Sequence, residues 1–212
     1  MASIQYNPQS ARRFRRFLPV VVDIETGGFH AATDAVLEIA VVTIGLNEQG
    51  QFFPHPAFSQ HVLPFVGARL DPKALAFNGI HDPYHPFRQA VSEQEALQTV
   101  FAHVKQALKG SQCERAIMVA HNALFDMGFL NAAIARTAIK SSPFHAFSSF
   151  DTVSLAGLAV GQTVLARAVR ACGLEWDNAE AHSAIYDAER TAALFCHIVN
   201  QWDSWQHLHQ GR

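Results

Sequence analysis

Cysteine is scarce in this chain: three in 212 residues, at Cys113, Cys172 and Cys196, with no Cys-x-x-Cys pair among them. An odd, scattered set argues against a disulfide framework and against a zinc site, and it suits a reducing, cytoplasmic compartment. Charge is thin as well. Only 16% of residues are Asp, Glu, Lys or Arg, while 49% are hydrophobic, so the chain is expected to fold rather than stay disordered. Long apolar runs are missing. The best candidates, such as 39–46, are strand-sized, against the roughly 18 residues of a membrane-spanning helix; no membrane partner is expected. No secretory leader is expected either. Arg12, Arg13, Arg15 and Arg16 precede the apolar residues 17–22, but Asp23 ends that run too early.

What is present is enough for one sizeable core, at roughly 150 residues per domain. Residues 18–25 (LPVVVDIE) read as a strand rich in β-branched residues, broken by Thr26-Gly27-Gly28. A second strand spans 36–46. A third, irregular one spans 51–63, interrupted by Pro54 and Pro56. Pro72 starts a short helix that ends near Asn78-Gly79. The spacing of apolar residues predicts helices over 92–108, stopped by Gly110, over 124–138, capped by Asn122, over 163–172 and over 183–202. Between them, 116–120 (AIMVA) is a short apolar strand and 147–153 is strand or loop. A meander followed by alternating helices and strands gives the α/β class, a sheet covered by helices.

Acids sit where such a sheet places ligands. Asp23 and Glu25 lie two apart in a strand and so share one face, at the end of an apolar run. Asp126 falls in the first turn of a helix after AIMVA. Asp187 lies about one turn into the last helix, beside its apolar stripe, with His182 in the loop before it. Taken singly, each has a bland explanation: a solvated strand end, a helix-dipole acid, a surface histidine. Together they make four carboxylates from three segments, with no basic residue beside them in sequence. That set suits hard divalent cations with oxygen ligands. Two such ions roughly 3.5–4 Å apart stabilise the attacking and leaving oxygens of a phosphoryl displacement. Histidine, which titrates near neutrality, can take the proton of the attacking water.

The segments VDIETGG, HNALFD and HSAIYD resemble, in order, the three motifs of the DEDDh exonuclease superfamily, with His five residues before the final Asp. FVGARLDPKALAFNGI, AIMVAHNALFDMGFL and FDTVSLAGLAVGQTVLA are similar to the ribonuclease T family, and the likeness runs from about Arg12 to Trp202. The resemblance implies an RNase H-like (exonuclease) fold with a central mixed sheet flanked by helices. It implies a Mg²⁺-dependent 3′→5′ exoribonuclease with two ions per site, Mn²⁺ able to substitute, that matures the 3′ ends of tRNA and other stable RNAs as a homodimer. Metal binding is carried over to Asp23, Glu25, Asp126 and Asp187, and the base role to His182. On this reading residues 1–11 are a flexible arm, 12–205 one exonuclease domain and 206–212 a tail.

Sixteen phenylalanines against three Trp and three Tyr is a skewed aromatic set. Most are expected in the core. Phe29 follows Gly27-Gly28 on the loop leaving the acid-bearing strand, and an aromatic there can stack on any base. The resemblance extends that stacking role to Phe77, Phe125 and Phe147. Lys73 departs from the family, which is expected to carry an acid that contacts the terminal base. The family's reluctance at 3′ cytosines is therefore not carried over. Among the basic residues, Lys105, Lys109, Arg115, Arg136 and Lys140 read as solvated surface. Arg12, Arg13, Arg15 and Arg16 interleave with Phe14 and Phe17, which suits phosphate contacts, and they are expected to serve a dimer partner's site. The net charge of −2 does not oppose a nucleic-acid substrate, because bound cations would offset the clustered acids. With single-stranded DNA ends as an additional substrate of the favoured reading, two rivals remain open: a proofreading-type DNA exonuclease, and an RNA-binding module with a dead site. The last predicts a lost carboxylate, and none is missing.

Overall fold

The computed structural model describes Ile4 and residues 6–209, with side chains through Trp205. Phe17–Thr26 (β1) and Val36–Leu46 (β2) pair antiparallel, with Val21 opposite Val42 and Glu25 opposite Glu38. The stretch 51–63 is two short strands rather than one. Phe52–Pro54 (β3) and Phe58–His61 (β4) both pair with β2; Pro54, which ends β3, and Pro56, between the two, lack the N–H that a continuous ladder needs. Pro72–Phe77 (α1) and Glu93–Ser111 (α2) follow. Arg115–Ala120 (β5) lies parallel to β1 on its other side, and Phe144–Asp151 (β6) lies parallel to β5. The order β3-β2-β1-β5-β6, with β4 also on β2, makes a mixed sheet.

Helices cover both faces. Leu18, Val20, Val22 and Ile24 of β1 pack against Val100, Phe101 and Val104 of α2, and against Phe129 and Leu130 of Ala123–Thr137 (α3). Val21, Val42, Ile44 and Val119 face Ala184–His209 (α6). Each such side chain, fully buried, contributes about 1.5–3 kcal/mol. Ala184, Ala188 and Ala192 are fully buried, and their small side chains bring α6 close against the sheet. Thr152–Val160 (α4) and Leu165–Ala171 (α5) pack beside α6. The sequence reading passes over α4, because a short apolar run has no periodicity that separates helix from strand. Asp151 starts it, accepting from Val153 N–H at 2.9 Å.

Four expectations change. Gly110 does not stop α2, which runs to Ser111 and ends on Gln112 in the left-handed region, φ +56°. A Cβ on Gly110 would stand 2.5 Å from Tyr6 Cδ2, so this glycine makes room for the Tyr6 ring. Asn122 makes no side-chain cap on α3 and sits at φ +71°; its N–H donates to Asp151 Oδ1 at 3.2 Å. The arm is docked from Tyr6 onward: Tyr6 packs against the core, Asn7 Nδ2 donates to the Leu46 carbonyl at 3.1 Å, and Pro8–Arg12 form a 3₁₀ turn. Of the expected tail 206–212, residues 206–209 continue α6. Residues 210–212, like 1–3 and 5 of the arm, lie outside the described residues.

Candidate active site

Pleating decides which acids can meet. Asp23 and Glu25 have the parity of Val21, so they stand on the α6 face of β1, half-buried between fully buried neighbours. The alanine stripe that seats α6 delivers Asp187 to that face. Asp23, Glu25 and Asp187 each offer a carboxylate oxygen within 4.8 Å of the others. Asp126 arrives from α3. The β1–β5 pairing ends at Val21 opposite Val119, and beyond it the Ile24 N–H donates to Asp126 Oδ1 at 3.0 Å. Asp126 is buried, and its charge acts on Asp23.

These acids hold their protons tightly. Burial, then the charges of Asp126, Glu25, Asp187 and Glu38, raises Asp23 well above the ordinary carboxylate range. Burial, then Asp187, Glu38 and Asp126, pushes Glu25 up to about 8, against a hydrogen bond from Asn78. Burial also pushes Asp126 up to about 8, against the Ile24 N–H. Asp187 is raised by burial and steadied by the His182 N–H, which donates to Oδ2 at 3.3 Å. No Lys or Arg forms an ion pair with any of the four among the described residues, and Asp187 Oδ1 is buried with no hydrogen-bond partner. An all-oxygen donor set with an orphaned lone pair and uncompensated repulsion fits a hard divalent cation.

Glu38, which the sequence reading missed, is a fifth carboxylate here. It is buried opposite Glu25, and burial raises its pKa, against the charge of Arg88 and a hydrogen bond from the Ala184 N–H. The available signal was one acid inside the otherwise apolar run VLEIAVV. Asn78 was also missed: its Nδ2 donates to the Thr26 carbonyl at 3.0 Å, tying the end of α1 to the end of β1.

Beside the acids lies a cleft of about 580 Å³ lined by Phe29, Phe77, Phe125, Lys73, Asn78 and His121, among others. Phe29 is 77% exposed and Phe77 67%, and Phe29 stands 6.3 Å from Phe125 between ring centroids. The loop carrying Phe29 needs both glycines. A Cβ on Gly28 would lie 2.1 Å from Asp34 Oδ2, and one on Gly27 2.8 Å from Leu70 Cδ2. His182, at φ +69°, lays its ring on Phe77 with centroids 4.1 Å apart, so the histidine joins acids to cleft. Phe147 is 80% exposed on β6, against His145, and does not line this cleft. Nor are the arginines brought to the acids. Arg12, Arg13, Arg15 and Arg16 precede the opposite end of β1, where Arg13 pairs with Asp203 and Arg16 with Glu114.

Residues 20–195 match the family described as Exonuclease. Ribonuclease T of Vibrio campbellii is 56% identical over 191 residues, 90% of this chain and 89% of its own length. Ribonuclease T of Escherichia coli O9:H4 is 58% identical over 190 residues, 90% and 88%. Among solved structures, E. coli exonuclease I in complex with a dT13 oligonucleotide aligns with a TM-score of 0.67 at 18% identity, over 91% of this chain and 43% of that one. The zinc-bound form of an E. coli exonuclease I–single-stranded DNA complex gives 0.63 at 17%, over 87% and 41%. These two likenesses speak for the fold, and the chain spans less than half of exonuclease I. Fold, acid cluster and sequence agree: the chain belongs to the exonuclease family that includes ribonuclease T.

Proposed function

We propose that this chain is a Mg²⁺-dependent 3′→5′ exoribonuclease that trims the 3′ ends of tRNA and other stable RNAs, one nucleoside 5′-monophosphate at a time, in the cytoplasm. The observation that carries the reading is the junction of acids and aromatics. Three carboxylates whose oxygens lie within 4.8 Å of one another open beside a phenylalanine-lined cleft sized for a terminal nucleotide.

Asp23, Glu25, Asp126 and Asp187 would hold two Mg²⁺ ions, with Mn²⁺ able to substitute. When bound, the ions supply charge to the attacking and leaving oxygens of an in-line phosphoryl displacement. Phe29, Phe77 and Phe125 receive the last base by stacking, which is tolerant of sequence and contributes about 1–3 kcal/mol per base. Phe147 offers a further platform toward the upstream strand. A ring nitrogen of His182 takes the proton of the attacking water, and the ring's seat on Phe77 keeps it at the mouth of the cleft. Asn78 fixes Glu25 and the end of α1 in one frame.

The reading includes a homodimer. A groove of about 620 Å³ runs between α4, α6 and Phe14, edged by Arg13. Leu158, Trp202 and Trp205 expose 82%, 50% and 51% of their surface on it. Contiguous exposed apolar surface of this kind supports self-association. A two-fold partner reuses the patch reciprocally and can carry its Arg12–Arg16 arm to a site that the arm cannot reach within its own chain.

One assay tests the activity: end-labelled RNA and DNA with matched 3′ overhangs, with and without Mg²⁺. Stepwise, metal-dependent shortening of RNA is expected. Shortening of DNA alone would move the reading to the proofreading type, and binding without shortening would move it to an RNA-binding module.

A further inference from the structure

Arg136, on α3, reads from the sequence as a surface cation, yet its side chain is only 20% exposed. Its guanidinium is engaged along its edges and on one face. Nε and Nη2 donate to Glu93 Oε2 and Oε1 at 3.0 and 2.6 Å. Nη1 donates to the Ala31 carbonyl at 2.8 Å. The plane lies over the Phe65 ring, 4.2 Å from its centroid.

These partners belong to separate segments, and each segment leads to the cleft. Ala31 lies two residues beyond Phe29. Phe65 opens the strap 65–71 that becomes α1 and carries Phe77. Arg136 itself shares α3 with Phe125. Strap and loop are also zipped together: Arg69 N–H donates to the Thr33 carbonyl at 2.8 Å and Asp71 N–H to the Gly27 carbonyl at 2.7 Å. Only a planar fork can serve a carboxylate, a carbonyl and a ring at once. A buried ion pair is weak evidence for stability, since apolar replacements of similar volume are often neutral or better.

We infer that Arg136, clamped by Glu93, is a positioning residue that sets the spacing of Phe29, Phe77 and Phe125. The inference rests on the cleft being the seat of the terminal base. Arg136→Lys keeps the charge but cannot hold Glu93, Ala31 and Phe65 together. With a 3′-overhang RNA, its KM is expected to rise about tenfold with kcat within about twofold, because lost stacking is lost binding rather than lost chemistry. With Ca²⁺ in place of Mg²⁺, 2-aminopurine as the last base should lose its quenching in the variant. The double variant Glu93→Leu/Arg136→Met removes the ion pair and keeps an apolar contact, and it should show the same KM rise at a near wild-type melting temperature.

A folded variant with unchanged KM and quenching overturns the inference. So does a pair of variants whose only change is melting temperature, which makes Arg136 a stability residue. If the wild type shortens no nucleic acid, the functional reading falls by itself. Hydrogen exchange at the Thr33 and Asp34 amides still reads the tether: faster exchange in Arg136→Lys supports it, and unchanged exchange overturns it.

Discussion

The two ends of β1 carry opposite charges, and their surroundings treat them in opposite ways. At the C-terminal end, Asp23 and Glu25 face Asp126, Asp187 and Glu38, and no described ion pair relieves the four proposed ligands. At the N-terminal end Arg13, Arg15 and Arg16 are answered. Arg13 pairs with Asp203 and lies over Phe14 and Phe52, 4.9 and 5.4 Å from the ring centroids. Arg15 lies over Phe17 at 5.1 Å, and Arg16 pairs with Glu114 at 2.9 Å. The Arg16–Glu114 pair is 58% exposed on both sides, so it is worth no more than about 1 kcal/mol. The contrast separates two reasons for a charge cluster. Acids that repel one another beside a core oppose folding, and they make sense when a ligand supplies the missing charge. Arginines with local partners hold an arm in place and still present cations to solvent.

Replacing an acid breaks the first half of that contrast and has the largest expected effect. Asp23→Ala or Asp187→Ala should abolish hydrolysis of labelled RNA while circular dichroism stays native, since each removes a proposed cation ligand and little packing. Residual activity near wild type that ignores Mg²⁺ would sink the two-metal reading. Stability should move the other way. In the unfolded chain these carboxyls ionise near roughly 4, while Glu25 and Asp126 hold protons up to about 8 when folded. Between those values the folded state binds more protons, so their stabilising effect is complete below about 4 and lost as pH rises toward 8. In EDTA the melting temperature should therefore fall between pH 5 and pH 8, and Asp23→Asn should raise and flatten that curve. Saturating Mg²⁺ should reverse the trend, because cation and proton compete for the same oxygens.

His182→Ala comes next, with an expected loss of about 10²–10⁴-fold in kcat, the usual contribution of a general base. Binding of a labelled RNA measured in Ca²⁺ should be largely kept. A loss of binding in proportion to rate would make the ring, which rests on Phe77, a substrate contact instead.

Much of this site could be read before the fold. Parity places Asp23 and Glu25 on one face, and the apolar period of the last helix turns Asp187 toward the sheet. Local spacing carries both inferences. What it cannot carry is pairing between distant segments. Glu38 joins the acids only through the antiparallel register of β1 and β2. Arg136 becomes central only when Ala31, Phe65 and Glu93 meet around it. Gly110 reads as a stop because glycine often ends helices, whereas its reason is a ring from the N-terminal arm. The missed helix α4 is apolar almost throughout, so neither period stands out.

The arm allows a smaller test, aimed at the second half of the comparison. Replacing Arg12, Arg13, Arg15 and Arg16 together should weaken RNA binding and lower its salt slope, with kcat on short oligonucleotides kept. Mixed dimers of that variant with an Asp23→Ala chain should recover activity, carried by the intact site beside the intact arm. No recovery despite demonstrated subunit exchange would mean that the arm acts within its own chain or not at all.

Lys73 should give the smallest effect and the finest reading of the site. It is the second residue of α1, and Phe77 stands four residues on, the spacing that puts two side chains on one helix face. Both line the cleft. The ammonium therefore stands beside the platform on which the last base would stack. An ammonium can only donate, so it favours acceptor atoms on a base edge and offers nothing to an exocyclic amine; a carboxylate does the reverse. Cytosine carries both kinds of atom, and the sign of the charge decides which orientation is rewarded. Lys73 is exposed, and water will weaken the contact. Lys73→Glu should thus change the ratio of rates on oligonucleotides ending in A and in CC by a few-fold to about tenfold, the range of one partly solvated, charge-assisted hydrogen bond. Phe77→Ala should lower both rates together, because stacking does not distinguish the bases. Identical ratios in wild type and Lys73→Glu would mean that the ammonium points past the base into solvent and takes no part in discrimination at the 3′ end.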